Sequence, residues 1–214
     1  MPFNPPRPTP IFRIMHVRNL AGVIASGNLL CENLRQQQAG AWESIAHENI
    51  QQRRRAKPVP CGLGGTVNDY VPWYYAPRSP MLYANHKGNV PSNPDGQKVI
   101  IYVRSSVEAV VQAGLSFVFT DGHGIMFNSN FFHDLADLDK IDWPLMQSKY
   151  WHSIERDPDR PRRRQAEFLV HQCFPWTLVE EVVVYDRERL VAVEMALQGE
   201  AHQPIIRKDA SWYF

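Results

Sequence analysis

Apolar and polar positions alternate along "IFRIMHV" (11–17), which predicts a short strand, and "NLAGVIASGNLL" (19–30) follows with helical spacing until Gly27 and Asn28 stop it. "AWESIAHENIQQRRRA" (41–56) predicts a helix with Trp42, Ala46 and Ile50 as its apolar stripe. Arg53 and Arg54 lie three and four residues beyond Ile50 and border that stripe, while Arg55 points away. The stretch 58–80 holds five prolines and three glycines. That is too many for a regular element and the segment is too aromatic for a linker, so an ordered functional loop is expected. A short helix at 81–88 and a surface turn at 89–98 lead to the clearest strand, "VIIYV" (99–103). A serine-capped helix (105–114) and a strand (116–120) follow. Residues 121–161 predict one or two short helices and no strand, a length of irregular chain that is usually functional when it is ordered. Strands at 166–174 and 180–186, a helix at 187–199 and a terminal strand over 204–214 complete a mixed α+β domain. No internal repeat or low-complexity tract interrupts it.

The composition narrows the class. With 214 residues, 44% hydrophobic and 21% charged, the chain is expected to be a single soluble unit over 1–214. Cys31, Cys61 and Cys173 form an odd set without paired spacing, which argues against a disulfide framework and for a reducing compartment, with the cytoplasm expected. No apolar run approaches the roughly 20 residues that span a bilayer, and "MPFNPPRPTP" lacks the apolar core of a signal peptide, so no membrane association is expected. A net charge of +1 offers no global field for nucleic acid. Arginine is nevertheless concentrated at 51–57 and 156–164, while 179–200 leans acidic, so a locally basic cleft is expected. Gly62, Gly64 and Gly65 lack the Gly-Lys-Ser/Thr continuation of a phosphate loop, which disfavours a doubly wound nucleotide fold.

The candidate chemistry is sparse. On a strand alternate residues share a face, so Gln165 and Glu167 would present an amide and a carboxylate to one small volume. The competing reading is an ordinary solvated strand start; Glu167 ends a long polar loop and begins an apolar strand, where a carboxylate sits at a cleft edge on rigid backbone. Arg54 belongs to a run of arginines that alone would be a solvated face. Arg13 interrupts "IFRIM", where either a surface strand or a ligand cleft would accept it. His16 and His123 are lone histidines, and none of the eight has metal-binding spacing with a third partner, so no metal is expected.

Several long blocks, in order and covering nearly the whole chain, resemble the DarT family of DNA ADP-ribosyltransferase toxins. They are "IQQRRRAKPVPCGLGGTVNDYVPWYYAPRSPMLY", "LSFVFTDGHG", "DLADLDKIDW", "RRRQAEFLV" and "SWYF". The resemblance implies an α+β, single-domain ADP-ribosyltransferase-like fold whose split central mixed or antiparallel sheet is flanked by helices. It implies a helical element at 35–57 that covers NAD and a substrate-binding loop region at 118–167. NAD would be the ADP-ribose donor and N3 of thymidine in single-stranded DNA the acceptor, with Glu167 and Arg54 catalytic. Arg13, Ile14, Met15, Gly22 and Leu30 would contact nicotinamide and ribose, and Tyr74, Arg78, Met81, His123 and Gln165 would face DNA. It also implies a macrodomain antitoxin as partner; a monomer is expected. Several relatives carry histidine at the position of Arg13, and threonine is frequent at Met15. Tyr70, Trp73, Tyr74 and Tyr75 would stack on splayed bases, with core packing as the competing reading, and Arg78 and the 160–164 cluster would neutralise phosphates. A thymine imide must lose its proton as it attacks. A family proposal makes Arg54 the base, but a guanidinium with a pKa above about 12 is better suited to orienting NAD and stabilising an imide anion. A decayed single-strand binder, and a transferase acting on RNA or protein, are the alternatives.

Overall fold

A computed structural model describes residues 4–38 and 40–214. The alternating segment near the start forms β1 (Pro10–His16), and Gly27, at φ 69, ends α1 (Leu20–Ser26) in the left-handed conformation that glycine adopts freely. Beyond that stop the chain is extended, as β2 (Asn28–Leu30), and then turns through α2 (Glu32–Arg35). The expected 41–56 helix is only its second half, α3 (Glu48–Ala56); residues 41–47 are irregular. Within the supposed loop 58–80 lies β3 (Tyr70–Tyr74), followed by the Ser79-capped α4 (Pro80–His86). The turn at 89–98 is less superficial than expected, since Asn93 is buried and donates to Asn85 Oδ1 at 2.7 Å.

The strand–helix–strand unit is present as β4 (Ile100–Ser106), α5 (Val107–Gln112), with Ser106 accepting from the Ala109 N–H, and β5 (Phe117–Thr120). The long 121–161 span contributes β6 (Phe131–Phe132), α6 (Trp143–Gln147) and the start of α7 (Arg160–Arg163). The predicted 166–174 strand is two, β7 (Glu167–His171) and β8 (Cys173–Pro175), broken at Gln172 with φ 60. Then come β9 (Glu181–Val184), α8 (Arg187–Leu197) and β10 (Ile205–Lys208), the last ending in a 3-10 turn rather than running on to the terminus.

Eight strands form one mixed sheet in the order β10-β9-β4-β1-β3-β7-β5-β6, and β2 pairs with β8 in a small second sheet. Only β9–β10 is parallel. The centre of the large sheet is split. β1 matches β4 along seven residue pairs, yet meets β3 only at Phe12 opposite Tyr74. Pro72 accounts for this. In a strand a residue's N–H and C=O leave by the same edge, and the Pro72 carbonyl faces β1, where it accepts from Arg13 Nη1 at 2.9 Å. Proline has no N–H to offer on that edge, so no ladder closes there, while Val71 and Trp73 keep β3 paired to β7. The two halves of the sheet diverge from Tyr74.

One face of the sheet buries Trp73, Phe168, Phe119, Val103 and Val182 in a core shared with Trp143 and α8, and the other carries a smaller cluster around Phe12, Tyr102 and Tyr213. At the end of α7, Arg164 is buried at 4% exposure, donating to the carbonyls of Leu145, Met146 and Pro77 at 2.6–2.7 Å. Burial lowers its pKa to about 10. This arginine ties α6 and the Pro77 segment to the end of α7, so Arg164→Met should cost about 3 kcal/mol, read as a lower urea midpoint at unchanged slope.

Candidate active site

Of the three successive arginines on α3 only Arg54 turns inward; Arg53 and Arg55 are exposed, contrary to the expectation for Arg53. Arg54 Nη1 donates to both oxygens of Glu167, at 3.0 and 2.8 Å. Glu167 opens β7 directly opposite Tyr74, so the carboxylate stands at the head of the split. It is 1% exposed, a buried acid rather than the ordinary solvated strand start that was the competing reading. The Gly124 N–H donates to Oε1 at 3.1 Å, and His123 Nδ1 lies 3.2 Å from the same oxygen. Behind it, the Glu167 N–H donates to Thr120 Oγ1, whose hydroxyl donates to the Gly122 carbonyl at 2.6 Å. Burial pushes the carboxyl up, but the Arg54 charge, with His123, more than reverses this and holds it at about 2. The acid is therefore ionised at neutral pH.

Beside this pair lies a cavity of about 280 Å³, wedged where β1 and β3 part and roofed by 42–51 and α3. Its walls include Arg13, Ile14, Met15, Trp42, Ile45, Ile50, Arg54, Tyr74, Met81, His123 and Gln165. Glu167 is not on the wall, because Arg54 and His123 stand in front of it. Arg13 and Arg54 bring two cations to a lining that is otherwise mainly apolar but also includes Glu32 and Glu43. Burial, then the nearby Arg54 charge, lowers Arg13 to about 10. Arg13 Nε and Arg54 Nη2 are buried without a hydrogen-bond partner. A ligand with a flat apolar ring and an anionic group fits such a lining, and the dinucleotide NAD has both. Among the described residues no group of three His, Cys, Asp or Glu side chains could hold a metal ion, and no helix is long and apolar enough to cross a membrane.

The structure thus gathers Glu167, Arg54, Arg13, Ile14, Met15, Tyr74, Met81, His123 and Gln165 at one place, and leaves three expected residues away from it. Gly22 is exposed on α1, and Leu30 pairs with Cys173 in the small sheet. Arg78, with its φ at 58, donates to the Tyr213 carbonyl and lies over the Phe214 ring, 4.3 Å from its centroid. Gln165 does not share a strand face with Glu167; it belongs to the turn after α7 and donates to the Pro161 carbonyl. The neighbouring arginines have internal partners too: Arg162 pairs with Asp121 and Asp159, and Arg163 with Asp142 and Asp157. Within the 160–164 cluster expected to neutralise phosphates, Arg162 and Arg163 thus form ion pairs that brace the loop. Tyr70, Trp73 and Tyr75 are core residues, and only Tyr74 of that run reaches the cavity. His16 caps a turn, accepting from the Arg18 N–H. Ile45, Thr120 and Gly124 were not read from the sequence as site residues, and Trp42 was read only as part of a helical stripe; the glycines of "TDGHG" were the one local signal, since a Cβ on Gly122 would collide with Arg162 Nη1.

The family model described as "DarT: ssDNA thymidine ADP-ribosyltransferase, DarT" matches residues 12–214. A DNA ADP-ribosyl transferase of Thermus sp. strain 2.9 is 43% identical over 213 residues, covering 98% of each chain. Among solved structures, Thermus sp. 2.9 DarT in complex with ADP-ribosylated ssDNA superposes with a TM-score of 0.93 at 41% identity, covering 100% of both chains. The same protein in complex with NAD+ gives 0.89 at 39% identity, covering 99% of this chain and 100% of that one.

Proposed function

The chain belongs to the DarT family of ssDNA thymidine ADP-ribosyltransferases, and on that premise we propose which of its residues carry the reaction. It is an NAD-dependent transferase acting on single-stranded DNA. The observation that carries the assignment of roles is the buried Arg54–Glu167 pair at the head of the split, beside the two-cation cavity.

NAD supplies the ribosyl carbon and, with nicotinamide, the leaving group. Glu167, kept ionised and dry behind Arg54 and His123, orients a ribose hydroxyl and stabilises the positive charge that develops as the glycosidic C–N bond breaks. Arg54 holds that carboxylate through Nη1 and has Nη2 free for an anionic oxygen, of the donor or of the acceptor. Arg13, fixed by the Pro72 carbonyl, with Ile14 and Met15, receives the nicotinamide end. Tyr74, Met81, His123 and Gln165 form the rim that seats thymine. Its N3 bonds to the ribosyl carbon as nicotinamide departs, and the imide proton is released to solvent. Residues 35–57 cover the donor and 118–167 hold the acceptor. In the cytoplasm such lesions block replication, which makes the protein a toxin whose partner is a macrodomain antitoxin that removes the ADP-ribose.

Incubation with NAD and a thymidine-containing single-stranded oligonucleotide should add the mass of one ADP-ribose per acceptor. An oligonucleotide carrying N3-methylthymidine should be refused. Labelling of the methylated strand would overturn N3 as the acceptor atom. Strand binding without any mass shift, or labelling confined to RNA or protein, would overturn the activity itself.

A further inference from the structure

The roof of the cavity is held by few bonds. Among the described residues, 41–46 form no backbone–backbone hydrogen bond, so this stretch, which carries Trp42 and Ile45 over the cavity, is fastened to the walls by side chains. On the side of Met81, Asn85 of α4 donates to the Ile45 carbonyl at 3.0 Å. On the opposite side stands Asn19, four residues beyond Met15. We propose that Asn19 is the latch of the donor site, a positioning residue that holds the roof down over bound NAD; this assignment rests on the functional reading above.

Geometry is the first support. Asn19 Oδ1 accepts from the Glu43 N–H, and Asn19 Nδ2 donates to the Glu43 carbonyl, both at 2.9 Å. One side chain thus satisfies both backbone groups of a roof residue 24 positions away, as a neighbouring strand would. The Arg18–Glu43 ion pair beside it is exposed and screened by solvent, so it adds little. Asn19 itself is 4% exposed and its amide is engaged at both ends, so it acts on the donor through the roof.

The second support is that Asn19 has no local task. It stands immediately before α1, where an asparagine side chain ordinarily caps the first turn. Its backbone, however, continues from the 3-10 turn Val17–Asn19 at φ -77 and ψ -15, and the side chain makes no cap bond. The bonds to Glu43 account for the residue. A segment fastened by so few hydrogen bonds opens readily enough to admit and release a ligand. Bonds that form as the roof closes strengthen donor binding and leave the step that follows closure unchanged.

The test measures steady-state labelling by wild-type protein, Asn19→Ala and Asn19→Ser, together with hydrogen exchange at Glu43. Alanine and serine are at least as good helix formers as asparagine, and both side chains end short of Glu43. Each variant should raise KM for NAD about 10-fold, the weight of two hydrogen bonds. Its kcat at saturating NAD and its KM for the oligonucleotide should stay within about 2-fold of wild type. With NAD bound, the Glu43 N–H should exchange slowly in wild-type protein and fast in both variants. A purely structural role would instead lower kcat, through the active fraction, at unchanged KM. That result, an unchanged KM for NAD, or unchanged exchange at Glu43 would overturn the proposal, as would loss of the thermal transition in both variants. Wild-type protein that neither consumes NAD nor labels the strand would overturn the functional reading, and the latch with it.

Discussion

Glu167→Gln should lower ADP-ribose transfer to single-stranded DNA by about 10³-fold. The amide keeps the shape of the side chain and can still accept from the Gly124 N–H and from Arg54, so the variant removes the charge and little else. A loss of that size therefore measures the electrostatic work the carboxylate does on the developing ribosyl cation. Single-turnover labelling at saturating NAD separates this loss from any change in donor binding, and wild-type turnover would remove Glu167 from the mechanism. The sequence places this residue at a cleft edge, and the structure buries it there to 1% exposure. Removing the carboxylate strands the Arg54 cation in a dry site, and breaking a buried pair from one side costs about 3–5 kcal/mol. Labelling must accordingly be measured well below a lowered thermal midpoint.

Where the sequence was legible, the physical signal was local. β4 and β9 are rich in β-branched and aromatic residues, α5 announces itself by Ser106, and α1 by its Gly27 stop. β3 was not legible because Pro72 ordinarily demotes a strand to an edge; here its missing N–H lies on the one edge where the sheet must open, so the residue that hid the strand also makes the cavity. Trp42, Ala46 and Ile50 mimicked a helical stripe, yet Trp42 and Ile45 line the cavity from irregular chain. The pairing of the arginines at 162–164 was only partly legible, because Asp157 and Asp159 stand in the same segment whereas Asp121, Asp142 and the Leu145 carbonyl are distant in sequence. Glu167 and Arg54 stood out through the family resemblance; their pairing across 113 positions is a property of the fold.

Arg54→Gln and Arg54→Lys should fail in different ways. With the cation gone, burial is left as the dominant influence on Glu167, and its carboxyl should rise from about 2 to above the ordinary carboxylate range. In wild-type protein the depressed pKa means that the pair's contribution to stability is complete above the ordinary value near 4.3 and is lost as pH falls toward about 2. In Arg54→Gln the sign reverses: the folded state holds its proton longer than the unfolded chain, so stability falls as pH rises between the two values. Activity should follow the ionised fraction. Wild-type transfer should be flat in pH from 5 to 8 as far as Glu167 governs it, whereas residual Arg54→Gln transfer should climb with pH over that range. Arg54→Lys keeps a charge, and because a single nitrogen, Nη1, contacts both carboxylate oxygens, an ammonium can reproduce that contact. It cannot reproduce Nη2, the unpartnered donor at the cavity. The lysine variant should therefore keep the flat profile and most of the stability, and lose about 10-fold or more through the missing charge-assisted hydrogen bond to donor or acceptor. If Arg54→Lys instead shows the rising profile of Arg54→Gln, the pairing of Arg54 with Glu167 is not what keeps the acid ionised.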